Sequence, residues 1–283
     1  MLIITGLLMG GNMKDILATE NSNVVYEKID VTLEEKDIEN VEIDVAAGKF
    51  VIKRGDKFSI KGEGNVKQSV KNGTWKLEEN YEVIKILFLR IPIVWRWNMW
   101  NRHYASYEIT IPYDADLREL NLDLGAGKAE MSEVQVQYLN VDLGAGEFNG
   151  RDIDAAEGKI SVGAGNAELN GVTFSQQCKL DVGMGELKVE NGDFTELKID
   201  NGAGSTKLQG KLYGKIEVDN GVGDIKINCA GKKENYAFDI DNGIGTIKIN
   251  GESYSDKEFS ASANQLGEFD VDNGIGDVRI SFE

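Results

Sequence analysis

The sequence predicts an all-β fold, a single-stranded parallel β-helix or β-solenoid with coils of about 19 residues. Three observations point to it. A Gly-x-Gly triplet recurs, beginning at Gly125, Gly144, Gly163, Gly183, Gly202, Gly221, Gly243 and Gly274, at intervals of 19, 19, 20, 19, 19, 22 and 31 residues. Short segments of alternating apolar and polar residues flank the triplets, as in Leu120-Asn-Leu-Asp-Leu124 and Asp224-Ile-Lys-Ile-Asn228, which is the period of a half-buried strand. The 283 residues include 33 glycines and only 2 prolines, so turns are made by glycine and nearly every backbone N–H is free to pair in a ladder. About 19 residues cannot hold two long strands and a helical crossover. They fit one coil, stacked about 4.8 Å above the last, and eight such coils would make a rod of roughly 40 Å.

Taken in chain order, residues 1–23 form an apolar N-terminus and tether. Met1 to Gly11 is about half the length of a membrane span and lacks a basic flank; it reads as the remnant of a longer signal or anchor, which would bring the chain near a membrane. Residues 24–116 are an irregular N-terminal β region. In Val41 to Ile52, Ala46-Ala47-Gly48 stands where Gly-x-Gly would, a degenerate coil or cap of the kind a solenoid needs to close its apolar end. Phe58 to Lys61 and Thr74 to Leu77 continue the strand pattern, and Glu108 to Pro112 leads into the rod.

Residues 81–107 interrupt this region with a different composition. They hold three of the four tryptophans, Trp95, Trp97 and Trp100, with His103, Tyr104 and four basic side chains against Glu82. Aromatic and basic residues together suit a ligand or membrane contact, through Trp95, Trp97, Trp100, His103 and Tyr104. They equally suit a hairpin laid over the solenoid, with its arginines on acidic columns.

Residues 117–283 are the solenoid of eight Gly-x-Gly repeats, read column by column. Two positions before each residue that precedes a triplet, the side chains are Leu122, Val141, Ile160, Leu180, Ile199, Val218, Ile240 and Val271, all aliphatic and inward. The residue next to the triplet changes from Leu124, Leu143, Val162 and Val182 to Asn201, Asn220, Asn242 and Asn273, an internal asparagine ladder whose amides satisfy one another along the axis. Between them lies an outward column of Asp123, Asp142, Ser161, Asp181, Asp200, Asp219, Asp241 and Asp272. Carboxylates repeated at about 4.8 Å repel one another. Turn N–H groups, a cation, or Lys179, Lys198 and Lys215 nearby must compensate.

The chemistry for catalysis is missing. One histidine and two cysteines, Cys178 and Cys229 in different phases, supply no zinc site, nucleophile pair or disulfide framework. The triplets lack both the dinucleotide and the phosphate-loop spacing. A net charge of −17 disfavours nucleic acid. No cofactor and no metal site is expected.

Glu108-Ile-Thr-Ile-Pro112, continued to Gly127 and followed by repeated Asp-x-Gly-x-Gly turns, resembles the bacterial candidate-adhesin proteins of the DUF4097 type, some of them similar to Lia envelope-stress proteins. The likeness covers roughly residues 24–283. It implies a surface-exposed or membrane-anchored protein without catalytic residues. The expected function is a non-enzymatic, extracytoplasmic adhesion or envelope-sensing module that meets a cell-surface component, a cationic peptide or a glycan. The alternative is polysaccharide binding or cleavage through the 81–107 aromatics, and an open end of the rod would invite addition of further strands.

Overall fold

The computed structural model describes residues 27–34, 37–79, 83–86, 89–92, 105–260 and 265–283. Each coil contributes two strands that meet at its triplet. Glu119–Leu124, before Gly125, lies parallel and in register with the strand one repeat on, Asp123 opposite Asp142. Lys128–Ser132, after the triplet, does the same with Glu147 to Arg151. The strands before the triplets form one parallel sheet and the strands after them a second, and a shorter third run follows, with Ile153 opposite Val172 and Phe174 opposite Phe194. Their inner rows pack into one core that runs from Ile38 to Ile280. At the corner after the second sheet, Glu133, Asp152, Gly171 and Asn191 take left-handed φ of 58°, 51°, 67° and 53°, which turns the chain into the third run.

The triplet glycines serve close approach, and none of them has a left-handed φ. Successive turns stack backbone on backbone. A Cβ on Gly144 would lie 2.5 Å from the carbonyl oxygen of Gly125, and one on Gly221 2.7 Å from that of Gly202. Any side chain there would push the coils apart along the axis.

The coils from Gly125 to Gly221 stack in chain order, as the spacing predicts, but those at both ends do not. Gly214–Asn220 pairs with Gly267–Asn273, and that strand pairs on its other side with Tyr236–Asn242. Asp224–Cys229, Asp277–Phe282 and Thr246–Ile249 repeat this order on the second sheet. The last coil is therefore inserted beneath the one before it. The N-terminal end mirrors this. Asn40–Val45 and Lys49–Gly55 lie against the Gly125 coil, while Thr74–Glu79 and Ser106–Pro112 sit outside them. A parallel ladder accepts any coil whose columns match, and the long intervals give the chain enough slack to pass outward and return.

Antiparallel strands close both ends. An Asn250-Gly251 turn with φ of 49° and 84°, the left-handed pair of a type I′ hairpin, folds Glu252–Tyr254 onto Thr246–Ile249. Lys257–Phe259 covers Tyr236–Asn242. At the other end Asn72-Gly73 turns Val66–Lys71 onto Thr74–Glu79, and Ser59–Gly64 covers Ser106–Pro112. The open end expected from sequence is thus covered, by short strands that carry Lys67, Lys71 and Lys257, the usual defence of a sheet edge. The parallel ladder also runs past residue 116 without a break. Cys178 and Cys229 are free and buried in different columns.

Candidate functional site

Trp95, Trp97, Trp100, His103 and Tyr104 lie outside the described residues. Thr74–Glu79 matches Asn40–Val45 and Ser106–Pro112 matches Lys49–Gly55, so these two strands take the places that flank the triplet in other coils. Between them in sequence, the backbone of Val83–Ile86 pairs antiparallel with Leu89–Pro92. At the end of Thr74–Glu79 the Glu79 carboxylate accepts hydrogen bonds from the N–H groups of Ala46 and Ala47, at 2.9 and 3.3 Å. Burial pushes its carboxyl up, and those two N–H groups oppose the shift.

The four asparagines bond in the spatial order of the coils. Asn201 Nδ2 donates to Asn220 Oδ1, Asn220 Nδ2 to Asn273 Oδ1, and Asn273 Nδ2 to Asn242 Oδ1, each at 2.8 Å. Each Nδ2 also donates across its own triplet, to the carbonyls of Gly204, Gly223, Gly276 and Gly245. Thr206 Oγ1 donates to Asn201 Oδ1 at 3.2 Å, so the first oxygen of the row also has a donor. The amides are occupied in holding the corner, which leaves them little capacity for a ligand.

On the outer side of the first sheet, lysines bridge the aspartate column where its neighbouring column supplies them. Lys179 reaches Asp200 at 2.5 Å and Asp181 at 3.6 Å. Lys198 reaches Asp219 at 2.7 Å, Glu217 at 3.3 Å and Asp200 at 3.4 Å. Burial pushes the Asp200 carboxyl up, but the Lys179 hydrogen bond and the nearby charges hold it below its usual range. At Asp123 and Asp272, which no lysine among the described residues reaches, the direction is the opposite. Asp123 is pushed up by burial, then by Asp44 and Asp142. Asp272 is pushed up by burial and by Asp270, Asp219, Asp241 and Asp239.

The Asp272 shift has a definite sign in stability. A carboxyl raised in the folded state binds protons more readily there than in the unfolded chain, so stability falls as pH rises from about 4 through the folded value. Asp272→Asn is therefore expected to stabilise at pH 7, by about 0.5 kcal/mol or less at so exposed a site. The gain should vanish below about pH 3, where the carboxyl is protonated in both states. Urea melts at the two pH values check this, and a loss of stability at pH 7 would contradict it.

Beside the acidic column runs an exposed apolar ridge, made by the central residue of each triplet. Ala126, Ala145 and Ala164 give way along the rod to Met184, Ala203, Val222, Ile275 and Ile244. Met184, Val222, Ile275 and Ile244 are 75%, 62%, 60% and 86% exposed. A shallow groove along the acidic column is lined by Asp181, Asp200, Asp219, Asp241 and Asp272 with the first glycine of each adjoining triplet. Among the described residues no cluster of His, Cys, Asp and Glu is arranged to hold a metal ion.

The Toastrack DUF4097 family model matches residues 22–281. The chain belongs to this family. A crystal structure of a candidate adhesin from Bacteroides fragilis NCTC 9343 is similar, with a TM-score of 0.54 at 14% identity, covering 90% of this chain and 97% of that one. A candidate adhesin and a candidate lipid-binding protein, both from Parabacteroides distasonis ATCC 8503, have TM-scores of 0.45 and 0.43 at 11% and 14% identity. Each covers 92% of this chain and 98% of its own. The Bacteroides likeness shows a shared fold and nothing finer. No curated protein matches the sequence.

The second sheet of this Toastrack chain carries a column that the sequence reading missed. Three positions after the triplets stand Lys188, Lys207, Lys226, Arg279 and Lys248, on five coils adjacent in space. Reading the columns after the triplets as closely as those before would have found the residues. Their adjacency, however, depends on the inserted last coil.

Proposed function

We propose that this Toastrack protein is a non-enzymatic, extracytoplasmic β-solenoid that serves as an adhesion or envelope-interaction module, with the corner ridge as its contact line. The observation that carries this reading is the run of Met184, Val222, Ile275 and Ile244, exposed beside the aspartate column. A contiguous exposed apolar line has a cost in water unless something covers it. The chemistry that fits is a cationic amphipathic segment, with its apolar side on the ridge and its cations over Asp219, Asp272 and Asp241. Coils stacked about 4.8 Å apart would offer such a segment one apolar and one acidic contact per coil. Family membership supports a surface role. Nothing among the described residues favours the polysaccharide reading.

A synthetic lysine–leucine helical peptide is expected to bind the full chain with an affinity that falls as salt rises, because exposed charges are screened over about 10 Å at 0.1 M. Replacing Val222, Ile275 and Ile244 together by serine should weaken that binding about tenfold or more while leaving the far-UV spectrum unchanged. Fluorescence anisotropy titrations measure both effects. Binding indifferent to salt and to the triple variant would remove the reading.

A further inference from the structure

We propose that the two outer faces of the C-terminal half are complementary, and that a second copy of this chain is the partner of the basic column. Rods would then associate side by side with parallel axes. From 177–182 outward through 196–201, Gly214–Asn220, Gly267–Asn273 and Tyr236–Asn242, the first sheet carries ten carboxylates against three lysines. The second sheet over the same coils, 186–190, 205–209, Asp224–Cys229, Asp277–Phe282 and Thr246–Ile249, carries five cations against four carboxylates. One face is strongly acidic and the other has a net positive charge, on a chain of net charge −17.

Both faces place like charges opposite one another in register. Lys207 faces Lys226 and Lys226 faces Arg279; Asp219 faces Asp272 and Asp272 faces Asp241. Such pairs are unfavourable unless compensated, and compensation within the chain is incomplete. Lys188 and Lys207 pair with Glu190 and Glu186, and Arg279 with Asp277. Among the described residues Lys226 and Lys248 make no ion pair with a carboxylate, and Asp239, Asp241 and Asp272 none with a cation.

The geometry lets a second copy supply the missing charges. The two sheets meet at the triplet corner and face outward on different sides of the rod. Because both columns are built on the same coils, they share one axial repeat. Laying the second sheet of one copy on the first sheet of another, with the axes parallel, sets Lys226, Arg279 and Lys248 of one chain over the acidic columns of the next, coil for coil. The contact joins unlike surfaces, so it generates a ring or an open row rather than a two-fold dimer. It uses the acidic face also assigned to a cationic ligand, but it needs neither that ligand nor the ridge.

Sedimentation of the full chain over a concentration series tests this, at about 0.1 M salt, where longer-range repulsion between copies is screened. The weight-average mass should rise with concentration and return to the monomer value near 1 M salt. Lys226→Glu with Lys248→Glu, and separately Asp239→Lys with Asp241→Lys, should each remain monomeric with unchanged melting. Mixed in equal amounts they should associate again, because each keeps the face the other lacks and the two reversed faces are themselves opposite in charge. The serine variant of the ridge should still associate, which separates this result from a failure of the peptide reading. A wild-type chain that stays monomeric, or a mixture that does, overturns the proposal. A monomer that instead retains an anionic polymer such as heparin on the basic column overturns it as well.

Discussion

Replacing Gly276 by alanine is expected to destabilise the rod by about 3 kcal/mol, the upper range for overpacking a closely packed site. The new Cβ would press on the carbonyl oxygen of Gly223 and come within 2.6 Å of Asn220 Nδ2. That nitrogen donates to both Asn273 Oδ1 and the Gly223 carbonyl, so relief of the clash costs hydrogen bonds in a buried row. Leaving a buried amide unpaired costs about 1–3 kcal/mol, the same order, so strain and lost hydrogen bonds are alternative ways of meeting the clash. The coils cannot separate to make room, because their spacing is set by the strand ladders on both sheets. Ile275→Ala, at the exposed centre of the same triplet, should change stability by no more than about 0.5 kcal/mol. Urea melts of the two variants compare the effects. A Gly276→Ala chain as stable as the Ile275→Ala chain would mean that the triplets do not stack backbone on backbone.

Much of this architecture is readable in the sequence because it is periodic. The interval of about 19 residues, the aliphatic column from Leu122 to Val271 and the switch from Val182 to Asn201 each repeat a local rule at fixed spacing, and the coils from Gly125 to Gly221 stack in that order. The role of the lysines was legible in part. Lys179 and Lys198 sit two positions before their aspartates, so an outward strand face brings them together.

The order of the end coils was not legible. Asn242 and Asn273 present the same column pattern to a neighbour, and residue spacing cannot tell which of two equivalent coils occupies the inner place. Choosing between them depends on non-local matters: which coil is covered by Lys257–Phe259 and which aromatic rings meet. Phe269 stacks on Phe238 at 5.3 Å and lies 5.5 Å from Tyr236, contacts between residues about thirty positions apart in sequence. The basic column was hidden for the same reason, since Lys226 and Lys248 become near neighbours only with Arg279 placed between them.

Truncation of residues 267–283 should distinguish insertion from simple stacking most sharply. In a solenoid stacked in chain order, loss of the last coil removes one repeat and leaves the rest in place, because each coil depends only on its neighbours. Here the last coil is the seat of the one before it. Tyr236–Asn242 and Thr246–Ile249 rest on Gly267–Asn273 and Asp277–Phe282, and their other partners are the short antiparallel strands of the cap. Phe269, Val271, Val278 and Ile280 are buried there. At about 1.5–3 kcal/mol for each large apolar side chain, their removal forfeits on the order of 8 kcal/mol of burial and severs the row of asparagines between Asn220 and Asn242. The truncated chain should therefore lose amide-exchange protection over residues 236–259 as well, and its urea m-value should fall by the surface of two coils. Residues 119 to 229 keep their chain-order neighbours, so protection should persist in the middle of the rod. Retained protection at residues 236–249 would show that this coil can seat directly on Gly214–Asn220, and that insertion of the last coil is not what holds it.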